Sequence, residues 1–191
     1  GELDKALKYH MKSLKLDQEI GHKQGVANQL RNIGFTYTIR GELDKALRYN
    51  RKALRIDQEI GYKLGEANDL ENIALILKKG NLDKALEYLK HSLKIHMKMS
   101  YKRGQATDLG NMGIIYKEKG DLDKALKYHK NALKINKEIN YKPGIVNQLA
   151  NIVIICIAEG DLDKAQKFKK EILKYLILKL STFKPSLRIV S

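Results

Sequence analysis

Apolar and polar positions alternate with helical periodicity over most of the chain. In the segment 43–60, apolar side chains return about every 3.6 residues, which is the spacing of one helix face. Asp44 stands in the first turn, where its charge complements the positive helix end, and Gly61 follows the last turn. The pattern predicts an amphipathic helix, here termed a B helix. Its apolar positions are Leu43, Ala46, Leu47, Leu54 and Ile60.

A second kind of helix, termed an A helix, is predicted between successive B helices. In the best example it follows a five-residue connection, 61–65, and runs from about Glu66 to Lys78. Its copies are predicted to start near Val26, Gln105 and Ile145. A glycine ends each copy and opens a tight turn into the next B helix. These glycines are Gly41, Gly80, Gly120 and Gly160.

The same fragment begins every B helix. Gly1–Leu7 returns with small changes at Gly41, Gly80, Gly120 and Gly160, at spacings of 40, 39, 40 and 40 residues. A fixed period of this size predicts a stacked array of helix pairs, each of which buries its apolar face against its neighbours. One residue is missing before Gly80, so a local change is expected in that turn.

The A helices carry a second recurring motif. One copy reads Leu30-x-x-Ile33-Gly34-x-x-Tyr37, and the following B helix supplies Ala46 and, seven residues later, Ala53. This resembles the tetratricopeptide repeat, in the 40-residue variety found in kinesin light chain. The resemblance implies an all-α fold, a right-handed superhelical array of antiparallel helix pairs. Copies that depart from the motif have Ala74 and Val153 for the glycine, and Leu77 and Cys156 for the tyrosine.

The organisation predicted from these repeats is one array over residues 1–180. A leading B helix occupies 1–20, and a tail occupies 181–191. Because the chain opens in the middle of a repeat, we expect it to be an excerpt of a longer array. HEAT repeats are the alternative fold, but they lack the Gly-Asp-Leu-Asp-Lys-Ala turn. The repeats are predicted at about 25–60, 65–99, 104–139 and 144–180.

A polar stripe lies almost opposite the packing stripe of each A helix. Asparagine stands at the same position in all four copies, although it is a mediocre helix former. An amide can donate and accept together, so it can hold the backbone of an extended peptide. The resemblance implies that this side lines the concave groove; duplication or a bond to a neighbouring helix would also explain the asparagines. The candidate peptide-binding residues are Asn28, Arg31, Asn32, Phe35, Asn68, Glu71, Asn72, Asn111, Asn147 and Asn151.

Apolar and charged residues accompany the asparagines. Phe35, Leu75, Ile114 and Ile154 are expected to form an apolar floor between them, with contact between adjacent A helices as the alternative. The run 152–157 is apolar on every side, which favours burial of Ile154. Charge selection is expected from Arg31, Glu71, Lys78 and Lys79.

The chain is strongly basic. It has 37 Lys and Arg against 22 Asp and Glu, a net charge of +15, which fits an acidic protein or peptide partner. Nucleic acid is disfavoured, because the basic residues alternate with acids, lack interleaved aromatics on one face and show no recognition motif. A basic nucleic-acid-binding module and a self-assembling structural module are kept as alternatives to a peptide-binding scaffold.

Chemistry-bearing patterns are missing from the sequence. There is no glycine-rich phosphate loop, nucleophile elbow or zinc pattern, so we expect no enzymatic activity, no cofactor and no metal site. His10 and His129 occupy equivalent positions that hold other residues in other copies. The single cysteine, Cys156, is expected to be buried and inert, which favours a reducing, cytoplasmic location. No stretch is long and apolar enough for a membrane span.

The last B helix departs from its pattern. Earlier copies become polar near their ends, as at Asp57, whereas residues 172–180 remain largely apolar. A terminal repeat normally shows a polar outer face. We therefore expect this surface to be covered by the tail 182–191 or by a second copy of the chain. The residues concerned are Leu173, Leu176, Ile177 and Leu180.

Overall fold

The structure is a computed structural model that describes the backbone of residues 1–181 and the side chains of residues 1–176. This part of the chain forms nine α-helices joined by short turns. They are α1 (Glu2–Glu19), α2 (Lys23–Ile39), α3 (Leu43–Glu59), α4 (Lys63–Leu77), α5 (Leu82–Lys98), α6 (Lys102–Glu118), α7 (Leu122–Glu138), α8 (Lys142–Ala158) and α9 (Leu162–Ser181).

Each helix packs antiparallel on the next, which confirms the predicted all-α array of helix pairs. The A helices are α2, α4, α6 and α8, and the B helices are the odd-numbered ones. The A helices α2 and α4 also contact each other, as do α6 and α8, whereas no comparable contact joins successive B helices among residues 1–181. The A helices therefore lie on the more crowded, inner side of the array.

The core of each pair forms where the apolar side of an A helix packs on the apolar side of the B helix that follows it. Leu30, Ile33 and Tyr37 are buried on α2, and Ala46 and Ala53 of α3 are completely buried against them. Alanine at these two positions lets the helix axes approach closely enough for the larger side chains to interlock. The packing stripe read from the sequence is thus confirmed.

The turns depend on residues that tolerate a left-handed backbone. Ser100 and Asn140 adopt φ of 54° and 51° after α5 and α7, at the position where Gly21 and Gly61 follow α1 and α3. The turn with the missing residue differs, as expected. Helix α4 has 15 residues while α2, α6 and α8 have 17. The φ of Gly80 is not positive, unlike those of Gly41, Gly120 and Gly160. The backbone amide of Asn81 donates to the Leu77 carbonyl at 2.7 Å.

The predicted starts of the A helices are wrong by about three residues. Helix α4 begins at Lys63 rather than near Glu66, and α6 begins at Lys102 rather than near Gln105. The glycine that was interpreted as part of a connection, Gly65 or Gly104, lies inside the first helical turn. It is small because a polar side chain of the preceding B helix packs on it: a Cβ built on Gly104 would lie 2.6 Å from the His96 ring.

We predict that Gly104→Ala destabilises the array by about 1 to 3 kcal/mol, because the added methyl group overpacks His96. Alanine within an unobstructed helix would instead stabilise by about 1 kcal/mol. The matched control is Gly80→Ala, where a Cβ meets no atom within 4 Å and φ is not positive. Urea unfolding should separate the two variants; a Gly104→Ala protein as stable as the parent would contradict this packing account.

Candidate functional site

The inner side of the A helices carries the residues predicted to bind a peptide. We define the groove face as Asn32, Asn72, Asn111 and Asn151 with their flanking residues. Asn32 is exposed, and the other three asparagines are half-buried. Apolar side chains stand beside them in contact with solvent, with Phe35 61% exposed and Leu75 38% exposed. The face therefore offers amides and apolar surface together.

The run 152–157 is not buried on every side, contrary to expectation. Ile152, Ile155 and Cys156 are buried, but Ile154 and Ile157 are 49% and 48% exposed. The reason is geometric: an inner helix is covered by its pair and its neighbours only on part of its circumference. Ile154 thus lies on the groove face in register with Phe35. Burial raises the pKa of the Cys156 thiol, which disfavours its reactive thiolate.

A cleft of about 380 Å³ separates α6 from α8. Asn111 comes from one wall, and Asn147 and Asn151 come from the other. Gly110 of α6 and Ala150 of α8 also line the cleft, at the position that Arg31 and Glu71 occupy in the earlier repeats. Three of the predicted site residues are thereby brought together in one concave space.

The groove asparagines differ in whether their side chains form hydrogen bonds within the protein. Asn111 donates to Glu71 Oε1 at 2.9 Å, and Asn151 donates to the backbone carbonyl of Asn147 at 3.1 Å. Asn28 accepts from Arg31 at 2.9 Å. The other asparagine amides form no side-chain hydrogen bond within the described residues, so their capacity is open to solvent or a ligand. These are Asn32, Asn68, Asn72 and Asn147.

Arg31 occupies a different role from the one expected. Its guanidinium donates to Asp69 at 2.7 Å and to Asp57 at 2.5 Å, and both carboxylates are fully buried. The three residues come from α2, α4 and α3, so the ion pairs tie three successive helices together. Arg31 is therefore engaged inside the array, and its charge is not free to select a ligand.

Burial dominates the ionisation of this cluster. It raises the pKa of Asp69 to about 7 even though Arg31 acts in the opposite direction. The pKa of Asp57 is also raised by burial. Two carboxylates share one guanidinium, and removing charge from water is costly unless it is paired. Burial therefore favours the neutral form of these carboxyls, and Arg31 opposes it.

A second buried cluster lies one repeat further along. His96 Nδ1 is 2.7 Å from Asp108 Oδ2, and the Ser92 hydroxyl donates to the same oxygen at 3.1 Å. Burial raises the pKa of Asp108. Glu71 lies nearby on the groove face, where burial, helped by the charge of Asp108, raises its pKa to about 7. Sequence reasoning missed both clusters, although aspartate in the middle of amphipathic helices was a signal for them.

The equivalent histidines His10 and His129 have structural partners. His10 Nδ1 lies 3.1 Å from Gln29 Oε1, and His129 Nδ1 lies 2.8 Å from Gln148 Oε1. Each pair joins a B helix to the A helix that follows it. Burial lowers the pKa of His129. No group of three or more potential metal ligands is found in the part of the chain that the structure describes.

The end of the array exposes apolar surface. Leu173 and Leu176 are 54% and 44% exposed, whereas Leu133, which occupies the Leu173 position one repeat earlier, is buried against α8. Leu173 thus stands where each earlier B helix receives the next A helix. The side chains of Ile177 and Leu180 and the tail 182–191 lie outside the described residues, so coverage by the tail or a second copy stays a prediction.

These features define a class of protein: an α-solenoid of antiparallel helix pairs with an amide-bearing inner face. The tetratricopeptide repeat family model matches residues 1–59, 26–98 and 104–176, and the chain belongs to this family. Domains of this family generally bind proteins. Among residues 1–181 no helix has the length and apolarity needed to cross a membrane.

Solved structures share the fold at low sequence identity. BtubC (BKLC) from P. vanneervenii is 21% identical with a TM-score of 0.82, covering 100% of this chain and 79% of that one. A Rap protein complexed with competence and sporulation factor is 20% identical with a TM-score of 0.81, covering 91% and 49%. A kinesin light chain-like protein of Podosopora anserina with nearly identical TPR-like repeats is 12% identical with a TM-score of 0.71, covering 94% and 89%. No curated protein matches the sequence.

We predict that Arg31→Met destabilises the array by about 3 to 5 kcal/mol at pH 8, because Asp57 and Asp69 remain buried without their cation. When folding raises the pKa of a carboxyl, the folded protein loses stability as the pH rises through the raised pKa. The loss should therefore be smaller at pH 5.5, where the folded state holds the protons. Urea unfolding at both pH values measures it.

The control is the triple variant Arg31→Met, Asp57→Asn, Asp69→Asn, which removes the stranded charges together with the cation. It should recover much of the stability lost by Arg31→Met at pH 8. Equal unfolding midpoints for the parent and Arg31→Met at pH 8 would show that the buried ion pairs do not join the helices energetically.

Proposed function

We propose that the array is a non-catalytic scaffold that binds an extended segment of a partner protein along the groove face. The observation that carries this is the regular placement of asparagine amides beside exposed apolar side chains on four successive inner helices. Asn32 and Asn72 combine solvent access with free hydrogen-bonding capacity in the described structure, and Phe35 stands 61% exposed beside them.

The amides suit a peptide backbone better than a particular side chain. A side-chain amide presents a carbonyl acceptor and two donors, which complements the N–H and C=O of one extended residue. Packed helices lie roughly 8 to 10 Å apart, close to the span of three extended residues. One asparagine per inner helix would therefore meet the backbone of an extended strand at regular intervals.

Apolar residues would supply affinity and some side-chain selection. Phe35, Leu75, Ile114 and Ile154 occupy equivalent positions one turn from the asparagines. Three of these four are exposed and one is half-buried, so a ligand could remove them from water. Burial of apolar surface stabilises by about 25 cal/mol per Å². A ligand with an apolar residue at about every third position fits this face.

Glu71 and Lys79 are the charged residues that remain available for charge selection in the groove. Arg31 is neutralised by two buried carboxylates, and the same position holds Gly110 and Ala150 in the later repeats. Lys78 pairs with Glu118 at 2.8 Å, which leaves Lys79 without an ion pair among the described residues. One acid of raised pKa, Glu71, and one cation, Lys79, therefore remain for charge selection, which favours a segment of low net charge.

Self-assembly is a second candidate function with an observation of its own. The exposed Leu173 and Leu176 extend the seat that each earlier B helix offers to the following A helix. An A helix from another chain, or the continuation of this one, would complete the packing. The groove and this seat lie at different places, so the two functions are compatible.

We predict that Asn72→Ala with Asn151→Ala weakens peptide binding by roughly tenfold or more, since two hydrogen bonds are worth about 1 kcal/mol each. Peptides would be selected from a displayed random library and measured by fluorescence anisotropy. Stability should be unchanged or slightly higher, because alanine is the better helix former. Asn111 is avoided because it also bonds Glu71.

The matched control is Asn131→Ala, an exposed asparagine on the outer helix α7. It should leave peptide affinity unchanged. Failure of the wild-type array to select any peptide would argue against the proposed function as a whole. Unchanged affinity of the double variant for a selected peptide would retain peptide binding and reject the asparagine ladder.

We predict a pH-dependent gain in stability for Glu71→Gln. The folded pKa of Glu71, about 7, lies above its ordinary value, so the unfolded chain ionises first and stability is lost between about pH 4.5 and 7. Glutamine keeps an acceptor for Asn111 and removes this loss. The variant should gain on the order of 2 kcal/mol at pH 8 and little at pH 4.5. The exposed Glu87→Gln is the control, and a pH-independent gain would contradict burial as the cause.

A further inference from the structure

The outer surface of the B helices carries basic residues in ordered columns. Because the repeats are in register, one helix position forms a column that crosses the whole array. The position of Arg55 is basic in all five B helices, and the positions of Arg51 and Arg48 are basic in four. The three columns comprise Lys15, Arg55, Lys94, Lys134 and Lys174; Arg51, Lys90, Lys130 and Lys170; and Lys8, Arg48, Lys127 and Lys167.

These side chains are exposed and mostly unopposed. In the described structure only Lys15 of the three columns has an ion pair, with Glu19 at 3.8 Å. Acids flank the columns without pairing with them. An aspartate stands one turn before the Arg48 position in every B helix, and Asp44 lines the same surface groove as Arg48, Arg51 and Arg55. The three columns thus form a basic band with a row of aspartates along one edge.

Two positions interrupt the basic columns. Met11 occupies the Arg51 position on α1, and Glu87 occupies the Arg48 position on α5. The outer face remains positive from α3 to α7, and each repeat adds a cation to each column apart from the one at Glu87.

We propose that this outer face binds the phosphate backbone of a nucleic acid, independently of base sequence. A chain of phosphates lying along the array would meet a new set of cations at each repeat. Phosphate contacts from Lys and Arg provide affinity without base readout. Tyr49 stacks on Tyr37 and Tyr128 stacks on Tyr116, so these two tyrosines near the columns are not free to stack on bases, whereas Tyr9 beside Lys8 is 67% exposed.

The composition of the surface favours a nucleic acid over a membrane. Helices that lie on membranes insert large apolar side chains between their basic residues. Helices α3 and α7 expose no large apolar side chain and α5 exposes Met97, whereas α1 and α9 at the two ends expose Met11, Leu16, Leu173 and Leu176. The surface between the columns is therefore largely polar from α3 to α7, as a hydrated phosphate backbone requires.

The test measures binding of a fluorescent DNA duplex and of single-stranded oligo(dT) by anisotropy, from about 50 to 200 mM KCl. The column variant is Arg55→Gln, Lys94→Gln, Lys134→Gln. Its control, Lys63→Gln, Lys102→Gln, Lys142→Gln, removes the same charge from exposed equivalent lysines at the starts of α4, α6 and α8. Anionic vesicles and polyglutamate are measured in parallel as the other anionic partners.

We expect the wild-type array to bind nucleic acid with a steep salt dependence. The column variant should bind duplex at least about tenfold more weakly at low salt, and its slope of log affinity against log salt concentration should fall by about 2 to 3. The control should keep most of the parent's affinity and most of its salt slope. The Asn72→Ala, Asn151→Ala variant should bind nucleic acid normally, because the outer face does not depend on the groove. A single-stranded preference over duplex, or the reverse, identifies the form of nucleic acid.

Three results would overturn the proposal. The first is absence of binding by the wild-type array at low salt. The second is an equal loss in the column and control variants, which would show a response to net charge alone. The third is binding to vesicles or polyglutamate that equals or exceeds binding to nucleic acid, which would assign the face to a membrane or to an acidic protein.

Discussion

The array depends on close approach of helices at positions with little or no side chain. Ala46 and Ala53 are completely buried, and a Cβ on Gly113 would lie 2.8 Å from His129. Because alanine returns at the Ala46 position of every B helix, and the other close-packing positions are small in most repeats, successive helices dock in similar relative positions. The inner face of every A helix consequently points to the same side, and equivalent residues line up. The asparagine ladder and the basic columns both follow from this one constraint on spacing.

The buried polar side chains between repeats vary, although the close approach of the helices is kept. The B-helix side chain that packs on the glycine is Asp57 in one repeat and His96 in the next. Each choice requires a partner: Asp57 bonds Arg31, and His96 bonds Asp108. Arg31 is thereby withdrawn from the groove face. The chemistry of the groove and the chemistry of the buried layer are therefore linked, because a neighbouring helix supplies residues to both.

The sequence predicted what depends on local periodicity and failed where contacts span several helices. Helix number and the packing stripe followed from residues close together in the chain. Gly65 was assigned to the connection before α4, because the side chain that packs on it, Asp57, belongs to the preceding helix. Arg31 was placed in the groove because its two buried partners are 26 and 38 residues away. The exposure of Ile154 required knowledge of which side of the inner helix remains open.

The central claim, that groove amides hold a peptide backbone, can be tested directly by NMR. Side-chain NH₂ resonances of asparagine would be followed while a selected peptide is added. The account predicts shifts at Asn32, Asn72 and Asn151, and none at Asn131 on the outer face. Shifts confined to the outer helices, or absent from the groove asparagines while the peptide binds, would contradict it.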